Sequence, residues 1–188
     1  MALYDIDEEL CMGWSHSGAV SVDAENTVEL TDEEVAALVA LIKEKGTSDV
    51  EKLELHKVYP DIYKKLNDAY YEMAYNAERS YWLWEGYEGG YYEYDSEELM
   101  EYCKDNCGYE YEYDEEDYLD EDGDIDEDKL HDDELEAFGE WLDEYLHGLP
   151  SDEAEEFMCE QMGAEVDVVD LNYKVEIPKA IIEMAKNE

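Results

Sequence analysis

The stretch with the sharpest chemical signature is Tyr118-Leu119-Asp120-Glu121-Asp122-Gly123-Asp124-Ile125-Asp126-Glu127-Asp128-Lys129, in which carboxylates bracket a glycine. A helix–loop–helix calcium loop takes oxygen ligands at positions 1, 3, 5 and 12, with Gly at 6 for the turn. Placing Gly123 at 6 puts Asp120 and Asp122 at 3 and 5 and Ile125 at the apolar eighth position, but leaves Tyr118 at 1 and Lys129 at 12. An ammonium cannot replace the bidentate glutamate, so no sensor-grade calcium site is expected. Weak divalent-ion binding by so many carboxylates is expected regardless.

The other reactive residue types are less well arranged. Cys103 and Cys107 have a three-residue spacer and no second pair to complete a tetrahedral zinc site. On a helix they lie one turn apart on an inner face, and with Cys11 and Cys159 they read as reduced thiols. His16, His56, His131 and His147 stand apart from any Ser or Cys arrangement that suggests a nucleophile. Carboxylate pairs are everywhere, so none is singled out as an acid and base couple. There is no glycine-rich phosphate loop. These absences argue against an enzyme and against a bound cofactor or catalytic metal.

What remains is the charge. The 188 residues carry 57 Asp and Glu against 12 Lys and Arg, a formal net charge of -45. Such a charge suggests disorder when apolar residues are scarce. Here hydrophobic residues make up 45% and aromatics 13%, including eighteen Tyr and four Trp, ample for a core. The first residues, Met1-Ala2-Leu3-Tyr4-Asp5-Ile6-Asp7, show no basic region and no apolar run, so neither secretion nor membrane insertion is signalled and a cytoplasmic location is expected. Anionic lipid and nucleic acid are repelled by this sign of charge, which leaves a positively charged partner.

The elements that must carry this surface read as an α+β chain: one domain over 1–188, or one domain with an elaborated insertion. β-prone residues at 19–22 and 27–30 with Gly13, Gly18 and Asn26 between predict a small hairpin or meander, with a turn at Trp14–Gly18. Thr31 and Glu34 form a capping box ahead of Val35, Leu38, Leu41 and Ile42, and Gly46 stops that helix. Ser48 and Glu51 suggest a second box, and Pro60 opens a helix to about Ser80. Glycines within 81–92 suit a strand, turn and strand, so a short antiparallel sheet is expected there. A short helix after Asp95 or Ser96, a strand at Tyr109–Tyr113, an exposed loop at 114–128 and a helix from about Asp132 to His147 follow. The chain closes with a helix from Ser151 to Met162, a strand over 166–177 and a helix after Pro178.

The charge is not evenly spread. Lys43, Lys45, Lys52, Lys57, Lys64 and Lys65 hold half of the basic residues, whereas 85–165 contains 34 Asp and Glu against Lys104 and Lys129, a formal -32. Two like charges about 7 Å apart repel by roughly 0.6 kcal/mol in water, and dozens of such pairs take a large share of the roughly 5 to 15 kcal/mol that holds a domain folded. A fold that carries that cost uses the charge. The candidate surface comprises Glu110, Glu112, Asp114, Glu115, Glu116, Asp117, Asp120, Glu121, Asp122, Asp124, Asp126, Glu127, Asp128, Asp132, Asp133, Glu136, Glu140, Asp143 and Glu144.

Duplex DNA presents about one negative charge per 1.7 Å of axis, and its binding proteins meet it with Lys and Arg. In composition over the whole chain, in small size and in its acidic, aromatic middle from Tyr91 to Asp128, the sequence resembles the DNA-mimic proteins. These are phage and mobile-element inhibitors of restriction enzymes, CRISPR effectors and other DNA-binding proteins. The class spans unrelated folds, so the resemblance carries no residue roles. It implies a stoichiometric inhibitor that occupies the nucleic-acid channel of a basic protein such as a bacterial defence nuclease. The competing readings are an acidic divalent-metal-binding protein centred on Asp120–Asp128 and an acidic chaperone or adaptor for basic proteins.

Overall fold

A computed structural model describes residues 1–15, 18–120, 123–169 and 171–187, and has an α+β fold. The turn expected at Trp14–Gly18 and His16 within it fall largely outside the described residues. The chain opens with an antiparallel hairpin of β1 (Ala2–Ser15) and β2 (Gly18–Leu30), in register from Ala2↔Leu30 to Ser15↔Gly18 with a one-residue shift between Cys11 and Gly13. Its strands are far longer than β-propensity alone indicates. Period two explains it: Ile6 and Leu10 on β1 and Ala24 and Val28 on β2 are buried, while the intervening Asp and Glu face solvent. Two polar residues on the inner face find partners. Asn26 Nδ2 donates to the Ala69 carbonyl (3.1 Å), and the Glu8 carboxylate accepts the Lys174 N–H.

Helix α1 (Asp32–Lys45) starts as its sequence demands. The Glu34 N–H donates to Thr31 Oγ1 (3.2 Å), the Thr31 N–H donates to Glu34 Oε2 (2.8 Å), and Gly46 closes the helix at φ 67°. The second capping box is a correction. Asp49, not Ser48, accepts from the Glu51 and Lys52 N–H groups, and the chain makes turns before the single-turn helix α2 (Leu55–Val58).

Helix α3 (Pro60–Glu88) replaces the expected strand, turn and strand at 81–92. Gly86 does not break the helix, which ends only at Gly89 and Gly90. Gly86 is where the Tyr92 ring lies against the helix: a Cβ at Gly86 would sit 2.6 Å from the Tyr92 hydroxyl oxygen, which donates to the Leu83 carbonyl at 2.6 Å. Gly90, at φ 66°, lets the chain leave.

Helix α4 (Ser96–Asn106) is capped by Asp95, which accepts from the Glu97 and Glu98 N–H groups. Residues 109–113 pair with no strand, which corrects the strand expected there: Tyr109 is buried and Tyr111 half-buried, while Glu110, Glu112 and Tyr113 are exposed. A 3-10 turn follows (Glu115–Tyr118), and Leu119 bridges Ile125 across the acidic loop. Helix α5 (Glu127–Gly148) begins five residues earlier than the apolar pattern indicates, because Asp126 accepts the Lys129 N–H and acts as its cap. Helix α6 (Ser151–Gln161) comes next, with Pro150 rather than Ser151 at the cap position. The strand read over 166–177 forms no ladder among its described residues, a further correction. Helix α7 (Lys179–Asn187) then closes the chain.

Two compact units divide these elements: Met1–Tyr81 with Asp167–Glu188, and Trp82–Val166. In chain order the second is inserted in the first, and its limits fall within three residues of the acidic section 85–165. The first core gathers Ile6, Leu30, Leu38, Leu53, Leu66 and Ile181. The second gathers Leu83, Met100, Phe138, Leu142, Leu146 and Met158. No helix among the described residues is long and apolar enough to cross a membrane.

Candidate acidic interaction surface

The inserted unit holds its charge on an aromatic frame. Tyr109 packs 5.1 Å from both Phe138 and Trp141, Trp141 stacks on Tyr145 at 4.7 Å, and Tyr145 meets the edge of Phe157 at 5.8 Å. Tyrosine serves here because its ring fills the core while its hydroxyl stays bonded. Tyr109 Oη donates to the Glu134 carbonyl (3.1 Å), Tyr118 Oη donates to Asp133 Oδ2 (3.0 Å), and the Tyr111 and Tyr118 hydroxyls lie 2.9 Å apart. Burial pushes the Tyr92, Tyr94 and Tyr109 hydroxyls above the ordinary phenol range. The bond to Tyr111, then desolvation and the Asp133 carboxylate, do the same to Tyr118. Among the described residues no polar or charged side chain is buried, so the carboxylates are displayed rather than enclosed.

The clearest ordering is along α5. Asp128, Asp132, Glu136, Glu140 and Glu144 follow one another at four-residue intervals, all exposed, and none makes an ion pair with a described residue. Residues four apart are about 6 Å apart along the axis and about 40° apart around it, so the five carboxylates form a row that winds obliquely across the solvent side of the helix. Asp133 and Asp143 flank it. Asp133 is half-buried and accepts from Tyr118, whereas Asp143 lies 3.4 Å from the Tyr87 hydroxyl and 3.5 Å from His147 Nδ1. The row stays open because Leu135, Phe138, Leu142, Tyr145 and Leu146 are the residues the helix turns into the core.

The remaining predicted residues fall into two groups. Glu110 and Glu112 are exposed on the segment before the 3-10 turn, Asp114 caps that turn by accepting the Glu116 N–H, and Glu115, Glu116 and Asp117 lie within it. Asp120 accepts the Asp124 N–H (2.9 Å), Asp126 caps α5, and Glu127 and Asp128 lie in its first turn, where carboxylates favour the positive end of the helix dipole. Glu121 and Asp122 lie outside the described residues. Lys129, at the position where a calcium loop needs its bidentate glutamate, donates to the Asp117 carbonyl (3.0 Å) and sits 5.0 Å over the Tyr118 ring. Among the described residues no three His, Cys, Asp or Glu are grouped so as to hold a metal ion.

The thiols and imidazoles are dispersed. Cys103 is buried, and burial with the neighbouring Cys107 pushes its thiol up to about 12; Cys11 is exposed, and none of the four is bridged. His131 lies 3.2 Å from Glu97, and His147 packs its ring 4.9 Å from Trp84.

The composition-based reading overlooked a second acidic face on the hairpin. Asp7 stands opposite Glu25 and Glu9 opposite Asp23, all exposed. Like charges at directly opposed positions oppose pairing. The signal was present as alternating Asp5, Asp7 and Glu9, but no strand was read through them. Part of the repulsion is offset by Lys179 bonded to Asp7 (2.5 Å) and by Ser21 Oγ donating to Glu9 (2.6 Å).

No protein-family model, no curated protein and no solved structure matches this chain.

Proposed function

We propose that the chain is a DNA mimic, which binds and blocks the positively charged nucleic-acid channel of a basic protein, a bacterial defence nuclease being the best-suited target. The observation that carries this reading is α5. Its 22 residues include nine Asp and Glu. At 1.5 Å per residue the helix is about 33 Å long; Glu134 is paired with Lys104 and Asp133 is half-buried, so the seven exposed carboxylates give one per roughly 4.7 Å, against one phosphate per about 3.4 Å along each strand of duplex DNA. A groove whose Lys and Arg are spaced for phosphates meets a comparable charge density here. The aromatic frame beneath keeps it from collapsing or rearranging, so little ordering cost is left for the moment of binding. Association driven this way is fast and strongly salt-dependent.

The test is capture from a bacterial lysate on the immobilised protein at low salt, followed by elution with duplex DNA. DNA-binding proteins released by the duplex support the reading. A captured set that resists duplex but leaves in high salt would mark a general carrier of basic proteins and overturn it. Replacing Asp128, Asp132, Glu136, Glu140 and Glu144 by Lys should lower the recovered amount at least 100-fold, while circular dichroism stays unchanged.

A further inference from the structure

Residues 171–177 have strand chemistry without a strand's partner. Leu171, Tyr173 and Val175 pack against the first core and Ile177 lies within it, while Asn172, Lys174 and Glu176 face solvent. This is the period of an extended chain. The Lys174 N–H donates to the Glu8 carboxylate at 3.2 Å. Successive N–H groups of an extended chain point to opposite sides. Those of Leu171, Tyr173 and Val175 therefore point the other way, and they have no main-chain partner among the described residues.

A groove of about 860 Å³ runs along residues 171–175. Tyr63 and Asn67 of α3 contribute to its lining, with the Tyr173 hydroxyl donating to Asn67 Oδ1 at 3.2 Å and the His56 ring set edge-on to Tyr63 at 6.0 Å. Glu51, Lys174 and Asp49, the last paired with Lys52 at 3.3 Å, also line it. We propose that this groove docks an extended, basic segment of a partner protein, which pairs main chain to main chain with Leu171, Tyr173 and Val175.

Three features select that occupant. An unpaired row of main-chain donors and acceptors is a template for another strand, and only an extended backbone matches its repeat. Five residues span about 17 Å, long enough for a short strand. Lys52 and Lys174 offset Asp49 locally, so it is the Glu51 carboxylate and the field of a chain of net charge -45 that favour Lys or Arg on the incoming segment. A second copy of the chain brings the same charge and is repelled. The site lies in the first unit and does not depend on the mimic reading.

The probe is an alternating valine–lysine heptapeptide added to the full-length protein, read by amide hydrogen exchange in NMR spectra. At saturation, exchange at Leu171, Tyr173 and Val175 should slow at least tenfold, and the same peptide with alternate amides N-methylated should bind at least tenfold more weakly at unchanged charge. Equal binding of the two peptides would mean that charge alone attracts them and would overturn the proposal, as would unchanged exchange at the three amides. Slowing that appears without peptide as the protein is concentrated would give the edge to a second copy and overturn the basic partner. No variant is needed, so misfolding cannot confuse the outcome.

Discussion

The first unit holds ten of the twelve basic residues and uses them locally: Lys65 reaches Glu34 at 2.7 Å, Lys57 reaches Glu54 at 2.5 Å, and Lys174, Lys179 and Lys64 each meet a carboxylate. The inserted unit has Lys104 and Lys129 against 34 Asp and Glu, and its main exposed row has no counter-charge. Yet both units fill apolar cores, and in neither is a described polar side chain buried. The pattern of burial sets the fold, and surface charge is added on top of it at a cost. That cost differs between the units, and the difference can be measured.

The largest expected effect is on salt dependence. Raising ionic strength from about 0.01 M to 1 M shortens the screening length from about 30 Å to 3 Å, which removes repulsion between unpaired surface charges and also weakens exposed ion pairs. Protection of the Leu142 and Leu146 amides should rise by on the order of several kcal/mol, since dozens of repulsions of a few tenths of a kcal/mol are screened together. Protection of the Leu38 and Leu41 amides should change by less than about 1 kcal/mol. Equal gains would show that the two surfaces cost the same and would break the comparison.

A second pair of variants separates packing from propensity within the inserted unit. Alanine in place of a helical glycine ordinarily stabilises by about 0.5–1 kcal/mol. Gly139 on α5 has nothing within 4 Å of a built Cβ, so Gly139→Ala should follow that rule. At Gly86 the new methyl would meet the Tyr92 ring and displace a hydroxyl bonded to Leu83, so Gly86→Ala should cost about 1–3 kcal/mol by overpacking. Opposite signs in urea unfolding are expected, and a stabilising Gly86→Ala would mean that the ring yields freely.

Gly86 also shows where the sequence could and could not be read. The capping box at Thr31 and Glu34, the stop at Gly46 and the apolar face of α5 were all legible, because each depends on neighbours within a turn of helix. The continuation of α3 through Gly86 was not, since what matters there is an aromatic ring arriving from Tyr92, a tertiary contact that local propensity does not encode. The long hairpin was hidden because Asp and Glu are poor strand formers, and alternation outweighed their propensity once Ile6, Leu10 and Val28 had a core to enter. Residues 166–177 failed the other way: the pattern of a strand was present, but a ladder needs a neighbouring edge. For the acidic surface, composition located the unit. Only the helix geometry separated the unpaired row from Asp114, Asp120 and Asp126, which hold turns and caps.

The smallest effects test the charges one at a time. The Glu34 carboxyl lies below the ordinary glutamate value of 4.5, first through its bond to Lys65, with burial opposing and the Thr31 N–H helping. A depressed folded value means that the pair stabilises above the ordinary range, and that this contribution is lost as pH falls through the folded value. Glu34→Gln should therefore cost about 1 kcal/mol at neutral pH, from a weakened capping box and a half-exposed ion pair, with the gap to the parent protein closing as acid protonates Glu34 below the ordinary glutamate range. Glu140→Gln on the unpaired row should have the opposite sign, gaining a few tenths of a kcal/mol at neutral pH, because it removes repulsion and breaks no bond. Urea unfolding of both variants at neutral and at acid pH decides the matter. If Glu140→Gln destabilised as Glu34→Gln does, the row would be held by partners of its own, and a surface kept at a cost to the fold would no longer need a bound partner to explain it.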